Sequence, residues 1–220
     1  MPRNRESKTN RQKRAIEVVT RLTALYPGEQ CLLEHSSPFT LLIAVLLSAQ
    51  TTDAAVNKIT PELFGRWPDA PALATATPKD VEATIHSIGL YRSKAKNCIA
   101  CAQKLLGEFG GEVPDTMEGL CSLPGVGRKT ANIVLTCAFG KSCGIAVDTH
   151  VFRIAGRLGF STAKTPQQTE ADLLALYPQQ YWSKINHMWV LFGREYCQAR
   201  RPRCLACPVA DLCPSARLSA

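Results

Sequence analysis

The chain lacks any long hydrophobic run. Its longest apolar stretch, Leu41 to Leu47, is seven residues, whereas a membrane-spanning helix needs about 20, so no transmembrane segment is expected. The apolar core of a secretory signal is also missing: Met1 to Arg14 holds six Lys or Arg against one Glu, and export is not expected. No stretch alternates strictly between apolar and polar residues, which removes half-buried β-strands and predicts an all-α protein. Neither an internal repeat nor a low-complexity linker interrupts the chain, so domain boundaries are unmarked by composition.

What is present is enough for a sizeable core: 220 residues, of which 45% are hydrophobic, can form one large domain or two small ones. Ten cysteines in a chain without a signal read as reduced thiols rather than disulfides, which places the protein in the cytosol or nucleus, or in the cytoplasm beside the nucleoid of a prokaryote. A formal charge of +8 and a pI near 9.1 favour a polyanionic partner, most simply nucleic acid, because counterion release rewards each neutralised phosphate. The basic residues 1–14 are expected to form a flexible, solvated arm.

Helical periodicity recurs along the rest. Val18, Leu22 and Leu25 share a face, and Pro27-Gly28 stops that helix. Ser37 before Pro38 is an N-cap signal for a helix through Leu47 that is apolar on every side and therefore central. Thr77-Pro78 opens another helix with Val81, Ile85 and Ile88 on one face, ended by Gly89; residues 90–93 read as a loop. Cys98, Ala102, Leu105 and Phe109 form the next stripe, closed by Gly110-Gly111, and Ile133, Val134 and Cys137 line a later helix. Val151, Ile154, Ala155 and Leu158 are expected to face a core, as are Ile185, Trp189, Phe192 and Tyr196, whose helix leads into Cys197.

Three motifs carry chemistry. Cys197, Cys204, Cys207 and Cys213 have the spacing of a four-thiolate site for a metal or a cluster. The segment Leu123-Pro124-Gly125-Val126-Gly127-Arg128 is a short hairpin whose two glycines can take positive φ and admit a phosphate to the backbone. The N–H groups that open the next helix then supply a sequence-independent DNA anchor, although a plain helix-turn-helix corner has the same string. Lys129 falls in the first turn of that helix, where the dipole and Arg128 disfavour an ammonium ion; it is either a phosphate contact or an amine nucleophile toward a sugar carbon. Asp148 reads as an N-cap, and a carboxylate fixed in that way also suits proton transfer or stabilisation of a sugar cation. Cys98-x-x-Cys101 is either a redox pair or two buried small residues of a helix.

Together, Leu123 to Asn132, Val147-Asp148-Thr149-His150 and the cysteine loop resemble the endonuclease III family of helix-hairpin-helix DNA glycosylases, over about residues 15–213. Leu46 to Asp53 and Ile88 to Lys94 are similar to family segments at the DNA-facing cleft. The resemblance implies two helical domains with a DNA-binding cleft between them. One is a bundle of about six helices over residues 31–140 that carries the hairpin; the other joins residues 15–30 to 141–220 and holds a [4Fe-4S] cluster on the four cysteines. It further implies a monomeric, bifunctional glycosylase and AP lyase that removes oxidised or reduced pyrimidines from damaged double-stranded DNA. By the same carry-over Lys129 forms the Schiff base and Asp148 assists. Gln50 fills the gap left by the extruded base and Leu90 wedges into the stack. DNA contacts are also implied for His150, for Leu123, Gly125, Val126, Gly127 and Arg128 of the hairpin, and for Arg200, Arg201 and Arg203 of the cysteine loop. A non-catalytic DNA-binding module and an enzyme acting on 8-oxoguanine or mispaired adenine are the rival readings; zinc is the rival to iron and sulfur.

Overall fold

In a computed structural model, which describes residues 6–27 and 31–216, eleven α-helices and three short 3₁₀ turns account for the regular structure. In chain order the helices are α1 (Lys8–Leu25), α2 (Pro38–Leu47), α3 (Asp53–Arg66), α4 (Ala70–Ala74), α5 (Pro78–Ile85), α6 (Tyr91–Phe109), α7 (Met117–Ser122), α8 (Arg128–Phe139), α9 (Thr149–Arg157), α10 (Pro166–Leu176) and α11 (Trp182–Glu195). No strand forms among the described residues. The chain divides into two compact units, one of residues 31–143 and one of residues 1–30 with 144–220.

The 31–143 unit is built round α2. Ser37 accepts a bond from the Thr40 amide while the Thr40 hydroxyl accepts one from the Ser37 amide, a reciprocal cap that fixes where the helix starts. Every residue from Phe39 to Leu47 is buried, as its all-round apolarity requires. Helices α3, α6 and α8 pack on α2. At about 1.5–3 kcal/mol for each large side chain removed from water, this helix anchors the unit. Thr77 caps α5 as its Thr-Pro pair predicts. The helix ends at Ile85, although Ile88 stays buried. The expected loop over residues 90–93 shrinks to a single residue: Leu90 is the N-cap, and α6 begins at Tyr91.

The other unit draws on both ends of the chain. Trp189, Phe160 and Tyr177 form its aromatic centre, with ring centroids 6.0–6.4 Å apart. Such pairs add about 0.5–1.5 kcal/mol each beyond area burial. On α1, Val18 and Leu22 enter this core while Leu25 is 46% exposed. Residues 1–5 of the basic arm, and Gly28 of the proposed stop, lie outside the described residues. The rest of the arm differs from expectation. Ser7 caps α1, so the helix already runs from Lys8. Arg14 is held by Glu6 at 2.7 Å, donates to the carbonyls of Leu158 (2.8 Å) and Leu212 (3.0 Å), and lies over the Phe160 ring. That guanidinium is structural because two carbonyls and a carboxylate satisfy it, which charge counting along the sequence does not reveal.

Candidate DNA-processing site

The hairpin between α7 and α8 is a tight turn. Leu123 accepts from the Val126 amide at 3.1 Å, Pro124 follows it, and Gly125 takes φ +78. Pro then Gly with positive φ at the two central positions is the signature of a type II turn. A Cβ on Gly125 also meets Asn97 Nδ2 and Leu46 Cδ2, each at 3.1 Å, so a larger residue is strained by φ and must also push both side chains back. Gly127 departs from expectation: its φ is −94, and its task is to be the N-cap of α8 without any side-chain capping bond. The leading N–H groups of α8 have no acceptor within the helix itself, the arrangement that favours an anion at a helix start. Leu123 and Val126 are 2% and 6% exposed. Their side chains belong to the core and anchor the two ends of the turn, so a DNA contact by either residue runs through its backbone. Arg128 and Lys129 are both exposed on the first turn of α8.

Gln50 and Leu90 stand out on different grounds. Among the described residues they alone, apart from glycines, have positive φ, 54 and 60 respectively. Both are exposed, Leu90 by 59%. A left-handed conformation costs a residue with a Cβ about 1–2 kcal/mol, so two tips are held against their local preference. One lysine braces both. Lys94 is 6% exposed, its amide closes the first turn of α6 on the Leu90 carbonyl (3.0 Å), and its ammonium donates to Thr51 Oγ1 at 2.6 Å, next to Gln50. Burial holds its pKa below the ordinary lysine value. With Asn97 one turn further on against Gly125, α6 supports three tips: the Gln50 turn, Leu90 and the hairpin. The sequence places Lys94 in a cleft segment without giving it a task and gives Asn97 no signal, because each looks like a solvated polar residue on a helix.

In the other unit, Asp148 is the N-cap of α9. Its Oδ1 accepts from the amides of His150 (2.9 Å) and Val151 (2.8 Å), and this cap does not engage Oδ2. His150 is half-buried with Nδ1 at 3.1 Å from Arg153 Nη2, and a Cβ on Gly193 of α11 falls 2.5 Å from that Nδ1. The ring thus fills the α9–α11 contact, which gives this histidine a structural task. Farther along α9, Arg153 donates to the Cys197 carbonyl at 3.1 Å. Arg157 donates to Cys197 Sγ at 3.3 Å and to the carbonyls of Gln198 and Ala199 at 2.7 and 2.8 Å. These arginines, also missed, fasten the start of the cysteine loop.

Cys197, Cys204, Cys207 and Cys213 line one cavity of about 290 Å³. Among the described residues no three His, Cys, Asp or Glu side chains converge as the shell of a single ion does. Four thiols spaced round a larger space fit a multi-iron cluster better than one tetrahedral zinc. Burial pushes the Cys207 thiol up to about 11 and raises that of Cys213, so thiolates there call for a cationic centre, while Cys197 has an N–H donor in Arg157. From the far side, Arg14 reaches the Leu212 carbonyl, and Arg21 reaches Asp211 (2.8 Å) and the Pro208 carbonyl (3.2 Å). Arg200, Arg201 and Arg203 are exposed. Cys98 and Cys101 are fully buried on one helix, with their thiols pushed up by burial, Cys101 to about 12; they are core residues and not a redox pair.

A family model described as HhH-GPD superfamily base excision DNA repair protein matches residues 43–179, and one for the iron-sulfur binding domain of endonuclease III matches residues 197–213. Endonuclease III of a Synechocystis strain is 49% identical over 96% of both chains, and that of Escherichia coli K12 is 46% identical over 93% of this chain and 96% of its own. The chain belongs to the endonuclease III family. Among solved structures, a trapped endonuclease III–DNA covalent intermediate matches with a TM-score of 0.88 and 41% identity, covering 93% of this chain and 96% of that one. A thermostable thymine-DNA glycosylase matches at 0.82 and 25%, covering 96% and 99%. As an endonuclease III family member the chain is a DNA glycosylase with AP lyase activity in base excision repair, and its four-cysteine loop carries a [4Fe-4S] cluster.

Proposed function

We propose that this enzyme removes oxidised or reduced pyrimidines from damaged duplex DNA, as a monomer, with Lys129 as nucleophile and Asp148 as its assisting carboxylate. The observation that carries the reading is an exposed lysine at the second residue of a helix whose N-cap is a glycine. A backbone phosphate held by those amides brings the adjoining sugar within reach of the lysine. Lys129 Nζ attacks C1′, the glycosidic bond breaks, and the base leaves with its electron pair. Ring opening gives a Schiff base; loss of a C2′ proton then expels the 3′ phosphate and cuts the strand. Asp148, rigid through its cap, stabilises the developing sugar cation and takes the proton that the amine sheds.

Gln50 and Leu90 serve the extruded state, in which the target base leaves the stack. Leu90 wedges in as an apolar tip and Gln50 occupies the gap; the strain at both is accepted because each must project. Gly125, Gly127 and Arg128 contact phosphate with the α8 amides. The cluster, when bound, supplies a rigid cross-link between four thiolates, and Arg200, Arg201 and Arg203 of the loop face the DNA backbone. No helix among the described residues is long and apolar enough to cross a membrane. The work is done wherever the genome lies, in a prokaryote the cytoplasm at the nucleoid.

The test is borohydride reduction on duplexes bearing one lesion each. Thymine glycol and a dihydropyrimidine should give a covalent adduct, while 8-oxoguanine, adenine opposite guanine and thymine opposite guanine should give none. Adducts confined to any of the last three overturn the lesion class. Lys94 gives a second expected result. Lys94→Met keeps the buried stem, removes the bond to Thr51 and frees the two tips. Single-turnover base release should fall about tenfold, roughly 1.4 kcal/mol of transition-state stabilisation, with binding to undamaged duplex unchanged. Equal loss of both would show that Lys94 does no more than hold the unit together.

A further inference from the structure

We propose, on the reading of Asp148 as the assisting carboxylate, that Glu170 and Asn186 are positioning residues: they clamp the segment that delivers Asp148 and so set where its carboxylate stands. Between α8 and α9, residues 144–147 form neither helix nor strand, yet all four are buried, with Ile145, Ala146 and Val147 at 0%, 5% and 8% exposure. Buried backbone outside regular structure needs hydrogen-bond partners from elsewhere. Two side chains supply them. Glu170 of α10, itself 5% exposed, accepts from the Ile145 amide through Oε1 at 3.2 Å. Asn186 of α11 donates from Nδ2 to the Ala146 carbonyl at 2.7 Å. The clamping residues lie 25 and 40 positions from the groups they hold, so neither bond is a by-product of local chain geometry.

The two bonds do what side-chain packing does not. Ile145 and Val147 enter the core around Trp189, which fixes the depth of the segment but leaves rotation about its own axis to the peptide groups. Pinning the Ile145 N–H and the Ala146 C=O to two different helices removes that rotation. Asp148 follows two residues after Ala146, and there the chain turns into α9 with Oδ1 accepting from the His150 and Val151 amides. Helices α10 and α11 also pack on α9. The helix and its lead-in are therefore held by the same two neighbours, and the cap ties the carboxylate to both. Catalytic groups need placement to about 0.5 Å, and a misplacement of about 1 Å costs up to about 100-fold in rate. Release of either bond leaves a buried peptide group without that partner; the segment then turns to find another and carries Asp148 with it.

The experiment measures single-turnover base release from a thymine-glycol duplex at saturating, cluster-loaded enzyme, in a double-mutant cycle of Asn186→Leu with Asp148→Asn. Asn186→Leu, similar in volume but without a donor, should be about tenfold slower than the parent enzyme, with cluster absorption and duplex affinity unchanged. Asn186→Asp keeps the shape, turns the donor into an acceptor and should be slowed as much; it stands in if the leucine variant does not fold. In an Asp148→Asn background neither substitution should slow base release further, because the group they misplace is already gone. At the other bond, Glu170→Gln keeps an oxygen for the Ile145 amide and should lose less than about threefold, whereas Glu170→Met, which has none, should match Asn186→Leu. A parent rate for the Asn186 variants beside a slow Asp148→Asn overturns the clamp alone. The same tenfold loss in both backgrounds also overturns it, since Asn186 would then act by holding the unit together. Base release at the parent rate by Asp148→Asn would sink the reading of Asp148, and the clamp with it.

Discussion

Lys129→Gln should bind thymine-glycol duplex nearly as well as the parent enzyme and cut it at least about a thousandfold more slowly, with no borohydride adduct. Three features set this expectation. The side chain is exposed at the second position of α8, and surface changes of this kind usually alter stability by less than about 0.5 kcal/mol. The phosphate anchor is the row of α8 amides behind Gly127, which glutamine leaves in place. One ammonium is lost, so the slope of log K against log salt should fall by about one. Chemistry, in contrast, loses its nucleophile, and a glutamine amide cannot form an imine. Cleavage at the parent rate would sink the lysine mechanism. Binding lost along with cleavage would mean that the hairpin holds DNA through this lysine rather than through its backbone.

How much of this was readable from residues depends on whether the cause was local. Capping is local. Ser37 with Pro38, Thr77 with Pro78, and Asp148 ahead of an apolar stripe each set a helix start that the structure shows. The hairpin was legible as a turn because Pro-Gly specifies one, but not which way its residues face. Leu123 and Val126 turn inward because the corner must be tied to a core made by α2 and other distant segments. Arg14, Lys94, Arg153 and Arg157 were invisible for the same reason. Their long-range partners lie 40 or more positions away, in Thr51, Cys197 and the carbonyls of Leu158 and Leu212. A charged residue with such a partner has the same sequence signature as one in water. The four ligand cysteines escaped this limit because they lie within seventeen residues, where spacing alone carries the geometry.

That local compactness also makes the cysteine loop fragile, and Cys207→Ser should abolish it as a DNA-binding element. The segment from Cys197 to Cys213 contains two 3₁₀ turns, Cys204–Ala206 and Ala210–Leu212, and little core of its own beyond Val209. Ligation does most of the folding of such a loop. Arginine bonds from α9 grip its start and those from α1 reach Pro208, Asp211 and Leu212, but none of these holds the stretch from Arg200 to Cys207. With Cys207 gone, the visible absorption of the cluster should vanish. The aromatic centre around Trp189 is made by other residues, so helix content should remain close to the parent value. Arg200, Arg201 and Arg203 then lose their fixed spacing. Affinity for duplex should drop roughly 10- to 100-fold near physiological salt, and the salt slope by up to about three, because three phosphate contacts disappear. At saturating DNA the Lys129 adduct should still form, since the nucleophile sits in the other unit. Loss of the cluster with affinity and slope unchanged would remove the arginine loop from the DNA interface, and would leave the hairpin and the two strained tips to hold the duplex alone.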